Sequence, residues 1–136
     1  MVQNAAAKTV MKKRKFDRIS KDRKNLLHWL PIEARIKFKI NLMTWKCLKY
    51  DQPIYLRELL RRRRSSVRSP YHGLLEVPKT KRPTWGDRAF RKAAPELWNE
   101  LPNHVRKHDK LEGFKKALKT HLFDVYGKEV HLTYAK

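Results

Sequence analysis

The residues of this chain best suited to chemistry lie in two runs of cationic side chains. The first is Lys12, Lys13, Arg14 and Lys15; the second is Arg61, Arg62, Arg63 and Arg64, followed by Arg68, Lys79, Lys81 and Arg82. Ammonium and guanidinium groups this densely spaced repel one another unless an anion lies among them, and a polyphosphate backbone supplies anions at a matching density. Read this way, both runs are phosphate clamps. The plainer reading is a pair of solvated loops or nuclear-localisation-like signals, or a contact for an acidic protein or membrane surface.

Other kinds of chemistry find little purchase. The thirteen acidic residues are scattered among basic ones, where each serves better as a helix cap or ion-pair partner than as one of a metal-binding pair. Of the six histidines, only His104 and His108 fall four apart, a spacing that could share a metal on one helix, but no motif glutamate or cysteine accompanies them. Four glycines form no phosphate-cradling loop, and the lone Cys47 permits neither an internal disulfide nor a multi-cysteine zinc site. The sequence therefore predicts no catalytic residue, no metal, no cofactor and no small-molecule substrate.

The chain has 136 residues, with 34 Lys and Arg against 13 Asp and Glu, a net charge of +21. Residues 1–30 and 61–92 hold most of that excess. At 40% hydrophobic residues with four Trp, five Phe and five Tyr, it has the material for a folded core. No apolar run reaches membrane-spanning length, so the expected partner is RNA or DNA rather than a membrane. A single cysteine fits a reducing compartment, nucleus or cytoplasm.

Periodicity predicts a mainly α, small helical domain with a short β-hairpin. A basic, partly disordered leader, residues 1–19, contains the end of a truncated helix; residues 20–126 form the domain, with an exposed basic loop over 61–73; residues 127–136 are a tail. Ser20 is placed to cap a short helix. Pro31 opens a helix to Tyr50 with Ile32, Ile36, Ile40, Met43 and Cys47 on one apolar face and Phe38, Leu42, Trp45 and Leu48 on a second, the most buried element expected. Pro53 opens another, with Tyr55, Leu56, Leu59 and Leu60 as its buried stripe. Residues 74–77 and 80–85 read as the hairpin arms, turning near Pro78 and Lys79. Asp87 is placed to cap a helix carrying Phe90 and Ala94 inward, with Pro95 beginning or kinking a further turn that bears Leu97, Trp98 and Leu101. The last helix, 110–126, has Leu111, Phe114, Leu118, Leu122 and Val125 in one stripe, Lys115, Lys116 and Lys119 off it, and Gly127 as its cap.

Four stretches, VQNAAA (2–7), LHWLPIEARIKFKI (27–40), TKRPTWGDRAFRKAAPELWNELP (80–102) and FKKALKTHLF (114–123), together resemble one family. They are similar, in order and spacing, to the C-terminal part of reverse transcriptases (RNA-directed DNA polymerases) from non-LTR, LINE-type retrotransposons of the jockey superfamily. The resemblance runs from Val2 to about Phe123 and implies the thumb-like and tail region that follows the polymerase palm. No catalytic residue carries over, because the paired aspartates of the polymerase site have no counterpart. Where the family has a Ser/Thr-rich connection, this sequence has Arg61–Arg64. Beginning at VQNAAA, the chain reads as a truncated frame from a decayed transposable element, with no cellular activity as one expectation.

Two functions fit these features. One is a non-catalytic nucleic-acid-binding fragment gripping phosphates through the two basic segments, with Trp29 or Trp85 available to stack an unpaired base. The other is an interaction module that docks on a reverse transcriptase domain. Burial or exposure of Leu97, Trp98 and Leu101 separates them.

Overall fold

An alanine-rich start, VQNAAAKTV, has the propensity for a helix and forms one, α1 (Val2–Val10). In the computed structural model, residues 2–19, 22, 26–27, 29–63, 73–79, 86 and 88–133 are described, with side chains as far as Tyr126. The chain divides into two compact units, residues 1–32 and 33–136. Among the described residues the protein is mainly helical, the further helices being α2 (Ile32–Tyr50), α3 (Ile54–Arg57), α4 (Phe90–Glu100), α5 (Asn103–Arg106) and α6 (Leu111–Thr133). No described helix is long and apolar enough to cross a membrane.

In the first unit α1 buries Gln3 and Ala7, and Gln3 donates its side-chain amide to the Leu30 carbonyl at 2.9 Å. Ile19 and Leu30 complete its small core. The helix ends in a Schellman arrangement: Lys12 takes a left-handed conformation (φ 51), its N–H reaches the Thr9 carbonyl at 3.3 Å, and the Lys13 N–H reaches that of Lys8 at 3.0 Å.

The second unit is built on aromatic packing. Trp45 of α2 stacks on Phe114 of α6 at a centroid distance of 5.5 Å, and Trp98 of α4 lies 5.9 Å from the same ring. Trp45 and Phe114 are fully buried, and Leu118 and Leu122 continue the α6 stripe inward. Each aromatic contact adds roughly 0.5–1.5 kcal/mol beyond the burial of its surface. Trp45 also donates its indole N–H to the His108 carbonyl at 3.0 Å, which fixes the loop between α5 and α6 to α2. Phe114, Leu118 and Leu122 of the predicted stripe are thus its buried face, while Leu111 is half-buried and Val125 is 38% exposed.

Several expectations are corrected. In α2 the buried residues are Ala34, Asn41, Thr44, Trp45 and Cys47, whereas Ile32 and Ile36 of the predicted face are each 55% exposed. A helix with apolar residues around much of its circumference gives no single preferred face, and the face turned inward is the one that carries Trp45. The one-turn α3 leaves Tyr55 68% and Leu59 39% exposed, and only Leu60 of its predicted stripe is buried. One turn cannot align a four-residue stripe with a core. Leu75 does pair in extended conformation, but its partner is Arg62, with Arg63 N–H to Leu74 O at 3.0 Å and Glu76 N–H to Arg61 O at 2.8 Å. Arg61–Arg63 are therefore part of an antiparallel pair rather than of a free loop. The other predicted arm, 80–85, lies outside the described residues, as do the caps Ser20 and Asp87.

Helix α4 runs unbroken through Pro95, which is buried and forgoes the amide bond to the Arg91 carbonyl. At the C-terminus α6 continues past Gly127 to Thr133, so that glycine is not its cap. His104 and His108 do not share a helix, because α5 ends at Arg106. The His108 ring lies instead against Gly113, where a Cβ would meet Nδ1 at 3.1 Å. Cys47 is buried, and desolvation pushes its thiol pKa up, away from reactivity.

Candidate nucleic-acid interface

The first basic run leaves α1 in the left-handed turn at Lys12 and is held by four further bonds. The Arg14 N–H donates to Asp17 Oδ2 at 2.9 Å, and the Asp17 N–H returns to the Arg14 carbonyl at 3.2 Å, closing a tight turn. Lys8 reaches the Lys15 carbonyl with its ammonium group, and Lys13 pairs with Asp22. That pairing is the main cause holding the Lys13 ammonium pKa above its ordinary value. Both nearby acids are thus engaged in shaping the loop. Lys12, Arg14, Lys15 and Arg18 are exposed and have no ion-pair partner among the described residues. Phe16, in their midst, is 90% exposed, with the Lys15 ammonium 5.9 Å from its ring centroid.

Arg61, Arg62 and Arg63 stand exposed on the extended pair. Alternation along a strand puts Arg62 on one face and Arg61 and Arg63 on the other. The pair is fixed to α4 by two side chains, Trp98, which the sequence marked, and Asn99, which it did not. Asn99 accepts the Leu75 N–H and donates to the Leu75 carbonyl, both at 2.9 Å, as a neighbouring strand would; Trp98 donates its indole N–H to the Gly73 carbonyl at 2.9 Å. Arg61 shares a cavity of about 220 Å³ with Glu58, Glu76, Leu59, Pro78 and Arg91, two carboxylates and two guanidinium groups. Lys79 is exposed, three residues beyond Glu76, which lies opposite Arg61. Arg64, Arg68, Lys81 and Arg82 lie outside the described residues.

No protein-family model, curated protein or solved structure matches this chain.

The remaining polar features offer no competing centre. Among the described residues no three His, Cys, Asp or Glu side chains converge as metal ligands. The Nε and Nη1 of Arg106 are buried without a hydrogen-bond partner, and desolvation lowers the guanidinium pKa. Those nitrogens are closed even to water, so they present no anion site. Of the stacking candidates, Trp29 is half-buried and Trp85 lies outside the described residues. Phe16 was missed because an aromatic inside a run of lysines has no periodic pattern from which its exposure can be read. Its signal was adjacency to the charges themselves.

Proposed function

We propose that this chain is a non-catalytic nucleic-acid-binding module that grips phosphates through its two basic segments. The observation that carries the reading is the loop of residues 12–18, whose backbone is braced while Lys12, Arg14, Lys15 and Arg18 are exposed without acidic partners among the described residues. Holding like charges together costs free energy in the absence of an anion, and a fixed loop cannot relieve it by spreading. A net charge of +21 supports the same partner class.

The resemblance to the C-terminal region of LINE-type reverse transcriptases supports an RNA or DNA backbone as the ligand, and makes a fragment of such a polymerase the proposed origin. The alternative docking module would leave Leu97, Trp98 and Leu101 open to a partner. Trp98 and Leu101 are each 4% exposed and Leu97 is half-buried, which favours the self-contained reading.

The test is titration of the nucleic-acid-free protein against fluorescent single-stranded RNA, duplex DNA and an RNA–DNA hybrid over a range of salt. Neutralising about six phosphates gives a slope of log K against log salt of roughly −5 on duplex, with little dependence on base sequence. A slope near zero, or no binding at physiological salt, overturns the proposal.

A further inference from the structure

We infer that Phe16 is a stacking platform for an unpaired base, which makes the loop of residues 12–18 selective for single-stranded over duplex nucleic acid. The inference rests on the phosphate-binding reading and goes beyond it in naming the form of the ligand. A phenyl ring left in water forgoes the stabilisation that burial would give it. Exposure at 90% is the largest among the bulky apolar side chains of the described residues.

A mobile loop could hide such a ring by swinging it against the protein. Here the backbone on both sides is committed: Lys13 N–H to Lys8 O, Arg14 N–H to Asp17 Oδ2, and Asp17 N–H to Arg14 O. The ring therefore stays out, flanked by Arg14 and Lys15 on one side and Arg18 on the other. A partner for this surface must offer a flat apolar face and negative charge within a few ångströms of each other. An unpaired nucleotide does so, whereas a duplex keeps its base faces stacked inside and offers only phosphates. Anionic lipid also combines charge with apolar surface, but a single aromatic gives it little to insert.

The experiment compares the full-length protein with Phe16→Ala and Phe16→Trp. Each is titrated, over several salt concentrations, against a short single-stranded DNA carrying 2-aminopurine, the blunt duplex of the same sequence, and phosphatidylserine–phosphatidylcholine vesicles. Phe16→Ala should weaken single-strand binding about ten- to a hundredfold and abolish the fluorescence change that reports stacking. Duplex affinity and the salt slopes should be unchanged, and Phe16→Trp should bind the single strand at least as well as wild type. Equal weakening on duplex and single strand, or none on either, overturns the stacking role while leaving the phosphate reading intact if the salt dependence stays steep. Loss of vesicle binding with single-strand affinity unchanged overturns it in favour of a lipid contact. Absence of binding to every oligonucleotide removes both readings together.

Discussion

The loop at residues 12–18 and the extended segment Arg61–Arg63 hold comparable charge in the sequence, yet they are supported in different ways. The loop is braced from within, by the end of α1 and by Asp17 and Asp22, so its acids are engaged and four cations have no ion-pair partner among the described residues. The arginine segment is braced from outside, by Trp98 and Asn99 on α4, and its acids, Glu58 and Glu76, stand in the same cavity as Arg61. Charge density along a chain therefore does not rank two candidate phosphate sites. What ranks them is where the nearest carboxylates are spent.

The largest effect should come from removing the outer brace. Trp98 packs on Phe114 as well as bonding to Gly73, so Trp98→Ala leaves a core cavity and an orphaned carbonyl and should cost about 3–5 kcal/mol in chemical denaturation. Asn99→Ala retains the core and removes only the two bonds to Leu75, with an expected cost of about 2 kcal/mol. Equal costs for the two variants would mean that the segment is held by its hydrogen bonds alone and that the aromatic cluster contributes nothing to it.

A direct comparison of the two segments comes next. Replacing Lys12, Arg14 and Lys15 by Ala removes three unpaired cations and should flatten the duplex salt slope by about 3. Replacing Arg61–Arg63 by Ala removes as many charges, but Arg61 shares its cavity with Glu58 and Glu76, so the slope should change by less, about 2. Salt titrations of both variants on one duplex check this. A larger change for the arginine variant would reverse the ranking and show that the carboxylates do not screen it.

What the sequence made legible follows from periodicity. The stripe Phe114, Leu118 and Leu122 lies on one face of an amphipathic helix whose other face is charged, and these residues are buried as expected. Periodicity failed where apolar residues surround a helix, as with Ile32 and Ile36, and where one turn is too short to have a face, as with Tyr55. Asn99 was silent because an amide on a helix surface acquires its role only when a distant backbone segment lies across it. The stretches that carry the family resemblance contain many of the packing residues: Gln3 bonds to Leu30, Trp98 and Asn99 hold Gly73 and Leu75, and Phe114 joins Trp45 to Trp98. Their specificity is that of a fold. The basic residues assigned to function lie largely between them, so the resemblance and the candidate interface are nearly separate pieces of information.

The smallest expected effect separates the two segments by pH. Burial lowers the pKa of His121 on α6 from the ordinary 6.5, and the neighbouring His104 lowers it further, with Asp124 opposing in part. The unfolded chain then binds a proton at about pH 6.5 that the folded chain resists, so the unfolded state carries more protons and stability falls with acidification. The loss begins as pH drops through the unfolded value and is complete below the folded one. Asp109, whose pKa is lowered chiefly by its hydrogen bond to Lys49, contributes stability that is lost only in the more acidic carboxylate range, outside this window. Thermal melts between about pH 7.5 and 5 should show a falling midpoint, and His121→Gln should flatten the fall. Helix α6 carries Phe114, on which Trp98 and hence the arginine segment depend, whereas residues 12–18 contain no histidine. Acid should therefore loosen the support of the second segment while leaving the charge of the first unchanged, and an unaltered pH profile in His121→Gln would remove that link.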